Sequence, residues 1–210
     1  MKKSKIKICG ISNLDVLKEL INLNINYVGF IFYSKSPRFA DSDFLESFKD
    51  IDFKNTKPVC VYVNPDEEYV YKTSSYFSNP ILQFHGDESN DFCESFGLEY
   101  WKAIRVKEKS DVLKTKLYSS ASAILFENHK EGIYGGTGES FDWNWLNDLQ
   151  EKEQYFILSG GINSENVHNA LSTNSWCIDL NSGVESEEGI KDIALILSLI
   201  HISEPTRPST

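Results

Sequence analysis

Eight short β-rich runs, each followed by a stretch long enough for a helix, set the tightest limit on what this chain can fold into. The runs are KIKIC (5–9), YVGFIF (27–32), PVCVYV (58–63), ILQFH (81–85), YWKAIRV (100–106), SAILFE (122–127), YFILS (155–159) and WCIDL (176–180). Between them, LDVLKELINL (14–23) carries apolar residues at helical spacing, and Ser12 with Asp15 three residues on is close to a capping box. Asn64-Pro65-Asp66-Glu67-Glu68 offers a cap, a first-turn proline and acidic residues where a helix start favours them. Asp87, Asn163 and the acidic stretch after Ser186 are further helix starts. Eight strand–helix units in 210 residues predict an α/β fold, a single parallel (β/α)8 TIM barrel near its lower size limit. A doubly wound open sheet is the alternative. The barrel is assigned to residues 1–202; SEPTRPST (203–210) breaks every pattern and reads as a disordered or non-native tail.

Composition narrows the function. A net charge of −10 without any Lys/Arg cluster argues against nucleic acid, because phosphate contacts need a basic face. Any anionic ligand must then be held by local donors and not drawn in by the overall field. No apolar run approaches the roughly 20 residues of a membrane span, and the basic start MKKSKIKICG lacks the apolar core of a signal peptide. The four cysteines (Cys9, Cys60, Cys93, Cys177) lie far apart with no metal-ligand spacing, which fits a reducing cytoplasm better than a disulfide framework or zinc site.

In such a barrel the chemistry sits on the loops at the strand C-termini. Two of these loops stand out: LSGGINSENV (158–167) and DLNSGVE (179–185) each follow an apolar run and carry glycine into a helix-like segment. Glycine lets backbone N–H groups approach an anion, so the pair reads as a phosphate site in the loops after strands 7 and 8. Ordinary glycine loops are the plainer alternative for either turn alone. The other strand ends are Cys9, the loop after Phe32, Asn64, His85, Arg105, Glu127, Ser159 and Asp179.

Strand alternation puts Lys7 on the side of Cys9, with Ile6 and Ile8 facing away, and a neighbouring ammonium would lower the thiol pKa. A small buried core cysteine is the competing reading, and it is the one that fits Cys60, Cys93 and Cys177. Glu127 shares a face with Ala123 and Leu125, where partial desolvation could raise its pKa for general acid work; a solvated loop glutamate is the alternative. Arg38, in FYSKSPR (32–38), could hold a carboxylate through two parallel hydrogen bonds, or simply be exposed. His85 and Asp179 are candidate substrate contacts whose default readings are a structural histidine and a hydrogen-bonded carboxylate. Gly136, in the glycine-rich loop YGGTGESFDW (134–143), belongs to a segment able to order over a ligand.

Taken together, KICGISN (7–13), VGFIFYSKSPR (28–38), VYVN (61–64), LQFHGDE (82–88), YGGTGESFDW (134–143), LSGGINSENV (158–167) and DLNSGVE (179–185) resemble the phosphoribosylanthranilate isomerase family of tryptophan biosynthesis. The likeness runs in order from about residue 5 to 200, and the KICG start, the YGGTG…FDW loop and the SGVE turn are its most specific parts. The resemblance implies a single (β/α)8 barrel that converts N-(5-phosphoribosyl)anthranilate to 1-(2-carboxyphenylamino)-1-deoxyribulose 5-phosphate by an Amadori rearrangement. It implies no metal and no organic cofactor. The family's cysteine base falls on Cys9 and its anthranilate-binding arginine on Arg38. Its phosphate turns fall on Gly160–Gly161 and Ser182–Gly183. Lys7, His85, Asp179 and Gly136 are further candidate substrate contacts.

The chain departs from the family pattern at the acid, where an aspartate within LLD is usual and the text here is LFE, ending in Glu127. Glutamate reaches one methylene further, and a misplacement of about 1 Å can cost roughly a hundredfold in rate. Asn181 stands where serine is more usual, a change expected to matter less in a turn whose phosphate contacts are largely backbone. Two other functions stay open: a different sugar-phosphate isomerase or epimerase on the same barrel, and a phosphate-ligand-binding barrel without turnover. The partner expected is a small-molecule substrate, with no nucleic acid and no membrane, and a monomer is expected in preference to a dimer.

Overall fold

A computed structural model describes residues 4–128, 141–146, 154–173 and 175–203. Eight parallel strands close into one barrel in sequence order. They are β1 (Lys5–Cys9), β2 (Tyr27–Ile31), β3 (Lys57–Tyr62), β4 (Ile81–Phe84), β5 (Tyr100–Val106), β6 (Ala123–Asn128), β7 (Tyr155–Leu158) and β8 (Cys177–Leu180). The ring is completed by β1 against β8, with Lys7 beside Asp179. This excludes the open doubly wound sheet, because an open sheet leaves two edge strands and here every strand has two neighbours.

Alternation divides each strand between two cores. One side of every strand packs under the helices: Ile8, Phe30, Tyr62, Phe84, Ile104, Phe126, Leu158 and Leu180 belong to one buried apolar cluster. The opposite side fills the barrel, where Tyr27, Val59, Ile81, Trp101, Ala123, Ile157 and Cys177 form a second cluster. Cys60 and Cys93 are buried in the outer cluster. Tyr27 and Trp101 meet edge to face at 4.9 Å between ring centroids. Toward the strand C-termini the inward positions turn polar, with Lys7, Gln83, His85, Glu127 and Asp179 all buried. Buried polar groups are costly unless paired, so a ring of them at one end of an apolar barrel marks the site.

The helices are α1 (Leu14–Asn22), α2 (Ser42–Ser47), α3 (Glu67–Ser74), α4 (Asn90–Glu94), α5 (Val167–Ser172) and α6 (Ile193–Ser203). Several begin later than the sequence predicts. Asn13, not Ser12, caps α1, its side chain accepting from the N–H groups of Asp15 and Val16. Asp66 caps α3 and Ser89 caps α4, which displaces Asn64 and Asp87 from those roles. Asn64 instead sits at φ +47° and its side chain accepts from the Asp87 backbone, tying the loops after β3 and β4 together. Asn163 opens a turn ahead of α5, which starts four residues later at Val167. The acidic stretch after Ser186 is no helix at all but an antiparallel hairpin of β9 (Glu185–Glu187) and β10 (Ile190–Lys191). The glycine-rich segment with Gly136 lies outside the described residues, as does the tail beyond Ser203, which itself closes α6.

Candidate active site

Parallel register places facing residues side by side on the same face of the sheet, and this assembles the site. Cys9 is level with Gly29 and Lys7 with Asp179. A Cβ on Gly29 would come within 2.7 Å of Cys9 Sγ and 3.2 Å of Lys7 Cε, so this glycine makes room for both side chains. Lys7 is completely buried, and its Nζ donates to Asp179 Oδ2 at 2.8 Å. Asp179 lines the cavity, and its Oδ1 has no hydrogen-bond partner among the described residues, which leaves it as an acceptor for a donor on a ligand.

These contacts reverse the expectation for the thiol. Burial pushes the Cys9 pKa up, and the opposing pull of the Lys7 ammonium does not overcome it. The Lys7 charge is already matched by Asp179, whose carboxylate also works against a thiolate. Burial likewise raises the Asp179 pKa against the attraction of Lys7. Lys7 itself does not line the cavity. It is a support beneath Asp179 and Cys9.

The cavity has a volume of about 360 Å³ and is lined by Cys9, Arg38, His85, Glu127 and Asp179 together with Gly160, Gly161, Ser182 and Gly183. That size suits a small organic ligand. The two glycine turns meet each other directly: a Cβ on Gly183 would lie 1.9 Å from the Ile162 carbonyl oxygen. Gly160 and Gly161 take φ of +89° and +69°, a backbone path that side-chain-bearing residues resist. The pair therefore forms one continuous backbone surface along the cavity wall.

Arg38 is buried and already holds a carboxylate, but that of Glu185. Its Nε and Nη2 donate to the two Glu185 oxygens at 2.7 Å each. The side fork that could have gripped a ligand is thus occupied, leaving Nη1 and the second Nη2 hydrogen as the end available to another anion. Lys191 donates to Glu185 and, at 2.8 Å, to Asn181 Oδ1. Two cations thus flank one carboxylate, and Glu188, which also lines the cavity, acts on the Arg38 charge as well. Burial works to raise the Glu185 pKa, but Arg38 and Lys191 hold it down at about 2. Asn181 therefore does more than replace a serine, since it anchors Lys191.

On the opposite flank, His85 Nε2 lies 2.5 Å from Glu127 Oε1, and both residues are almost completely buried. This excludes the solvated loop glutamate. Gln83, two residues before His85, reaches His85 Nδ1 at 3.0 Å. Of the other strand ends, Arg105 pairs with Asp87 at 2.5 Å and does not line the cavity. Sequence reasoning did not single out Gly29, Gln83, Glu185 or Lys191. Gly29, Gln83 and Glu185 lie inside quoted motifs, but their neighbours give them their work: Cys9 and Lys7 for Gly29, His85 for Gln83 and Arg38 for Glu185.

A family model described as N-(5'-phosphoribosyl)anthranilate (PRA) isomerase matches residues 6–201. The chain belongs to this family. The enzyme of that name from Nitrosospira multiformis is 37% identical over 205 residues, spanning 95% of this chain and 98% of the relative. That from Sulfurihydrogenibium is 36% identical over 200 residues, spanning 94% and 97%. Among solved structures, phosphoribosyl anthranilate isomerase of Thermotoga maritima superposes with a TM-score of 0.83 at 29% identity, covering 95% of this chain and 98% of that one. A phosphoribosyl anthranilate isomerase in complex with reduced 1-(o-carboxyphenylamino)-1-deoxyribulose 5-phosphate superposes with a TM-score of 0.80 at 28% identity, covering 95% and 98%. The isomerase family thus accounts for nearly the whole barrel, from the strand bearing Cys9 to the final helix.

Proposed function

We propose that this isomerase converts N-(5'-phosphoribosyl)anthranilate to 1-(2-carboxyphenylamino)-1-deoxyribulose 5-phosphate, a step of tryptophan biosynthesis, with Glu127 as general acid and Cys9 as general base. The observation that carries this reading is one cavity that joins a double glycine cradle, an anion-seeking arginine, a buried carboxyl group and a thiol. In barrel order, the phosphate loops follow β7 and β8, flanked by Glu127 on β6 and Cys9 on β1. Gly160, Gly161, Ser182 and Gly183 hold the 5'-phosphate with backbone donors, and the free end of Arg38 takes the anthranilate carboxylate.

Glu127 gives its proton to the ribose ring oxygen. The C1'–O bond breaks as the anthranilate nitrogen lone pair forms a C=N bond, leaving a protonated Schiff base. Cys9, as thiolate, then removes the C2' proton, and the C–H electrons move into the C1'–C2' bond while the C=N pair returns to nitrogen. The resulting enolamine tautomerises to the ketone. A thiolate that burial makes hard to form is a stronger base once formed, and the cationic Schiff base supplies a partner for its charge. Asp179 Oδ1, without a hydrogen-bond partner among the described residues, accepts from a substrate hydroxyl or N–H.

Loss of anthranilate-substrate fluorescence measures this reaction and no other sugar-phosphate isomerisation. Cys9→Ser and Glu127→Gln are each expected to lower turnover by roughly 10²- to 10⁴-fold while binding a product analogue nearly as well. Near-normal turnover in both variants would overturn the assigned roles. Absence of turnover in the unaltered chain, with analogue binding intact, would favour a binding barrel without activity. We further propose that the chain works in the cytoplasm and as a monomer; no described helix is long and apolar enough to cross a membrane.

A further inference from the structure

Gln83 and His85 lie on the same inward face of the barrel, followed across it by Glu127. Gln83 is fully buried. Its Nε2 reaches His85 Nδ1 at 3.0 Å, and His85 Nε2 reaches Glu127 Oε1 at 2.5 Å. An amide N–H can only donate, so Nδ1 must accept and carries no hydrogen. The ring proton of a neutral imidazole then resides on Nε2 and is donated to Oε1. Gln83 Oε1 has no hydrogen-bond partner among the described residues, so the orientation of the amide rests on its contact with His85 Nδ1.

This arrangement decides which oxygen of Glu127 can work. With Oε1 committed as an acceptor, the proton of the carboxylic acid is favoured on Oε2, the oxygen that His85 does not hold, because a carbonyl oxygen accepts better than a hydroxyl. We propose that Gln83 and His85 are positioning residues that direct the acidic proton of Glu127 to Oε2 and stabilise the carboxylate left behind when it is delivered. The inference rests on the reading of Glu127 as the general acid. In the step itself the Oε2–H bond breaks and its electron pair stays on the carboxylate. The proton forms a new O–H bond on the ribose ring oxygen. The Nε2–H···Oε1 bond becomes charge-assisted at the same moment, and such bonds are about twice as strong as neutral ones, so the contact favours the transition state over the ground state. The other tautomer would fail for a specific reason: a bare Nε2 would accept the Glu127 proton and hold it away from the substrate.

The test compares Gln83→Glu and Gln83→Met with the unaltered enzyme, using ¹⁵N-histidine NMR and steady-state kinetics. His85→Asn identifies the His85 signals among the four histidines. The unaltered enzyme is expected to show neutral His85 with its hydrogen on Nε2. Gln83→Glu replaces the donor with an acceptor and should bring a hydrogen onto Nδ1. Both Gln83 variants should lose roughly tenfold or more in kcat, with KM changed less than about twofold, because the lost contact matters most in the transition state. An Nδ1–H tautomer in the unaltered enzyme would overturn the proposal. So would full kcat in the Gln83 variants alongside an inactive Glu127→Gln enzyme. High activity in Glu127→Gln would instead remove the acid assignment on which the proposal stands. If Gln83→Glu does not fold, Gln83→Met and the spectrum of the unaltered enzyme decide the matter.

Discussion

Arg38 illustrates how one side chain is prepared by its neighbours. The Glu185 carboxylate takes the Nε and Nη2 edge, and the aliphatic stem passes over Gly10, where a Cβ would come within 2.7 Å of Arg38 Cδ. The guanidinium is therefore fixed in place before a ligand arrives, which reduces the ordering cost of binding. A lysine has one charged nitrogen and cannot satisfy Glu185 while presenting a planar fork to a second carboxylate. Arg38→Lys is expected to raise KM by roughly tenfold with a smaller change in kcat, since the contact binds ground and transition states alike. An unchanged KM would show that the anthranilate carboxylate is held elsewhere. Cys9 carries the same lesson in the other direction. Its position follows from strand alternation, but its proton affinity follows from burial and from the pairing of Lys7 with Asp179 across the seam between β1 and β8.

Among the elements, the β9–β10 hairpin departs most from the sequence reading and contributes most to the site. Its residues Glu185 and Lys191 build the support for Arg38, and Gly189, at φ +84°, makes its tight turn. A Cβ there would lie 3.1 Å from the Pro37 carbonyl oxygen, so the turn packs against the loop that carries Arg38. The acidic composition resembled a helix start because a first turn also favours acidic residues, and only the partners distinguish the two. This element gives the fold a pH dependence. Glu185 is held at about 2 in the folded chain, below its ordinary carboxylate value of 4.5. Its stabilising contribution is therefore complete above about 4.5 and is lost as pH falls through the interval down to about 2. Urea denaturation at pH 6 and at successively lower pH should show the unaltered chain losing more stability than Glu185→Gln below about 4.5. Parallel loss in the two proteins would place the acid-sensitive groups elsewhere.

At the scale of the molecule, closure makes the site possible. An open sheet would separate β1 from β8 and, with them, Lys7 from Asp179. Closure also removes the edge strands through which the barrel itself could pair with another chain. Among the described residues the large exposed apolar side chains are spread over separate elements: Tyr71 on α3, Leu113 and Leu117 in the 3-10 segment Lys109–Leu117, Tyr155 on β7, Ile190 on β10 and Leu195 on α6. A stable dimer face usually buries about 800 Å² on each partner around an apolar centre. Sedimentation of the chain at micromolar concentration is expected to give one species near 24.0 kDa, and a species of twice that mass would refute the monomer.

The sequence by itself determined the order and eightfold count of the barrel strands and the face that each strand residue presents, and it named Cys9, His85, Glu127, Ser159 and Asp179, strand ends that line the cavity. Those features are local: periodicity, glycine turns and alternation act over a few residues, and the short motifs carry them intact. Even the departure at Glu127 was legible there. Tertiary structure alone decided that Lys7 is neutralised by Asp179, that Arg38 leans on Glu185, that Gly183 meets Ile162 and that Gln83 and His85 hold Glu127 by one oxygen. Apart from Gln83 with His85, two residues apart in the chain, these contacts join residues from different strands or loops, and burial then sets how strongly their charges act. Alternation can put a thiol and an ammonium on one face, but which charge prevails depends on the third group that closure brings beside them.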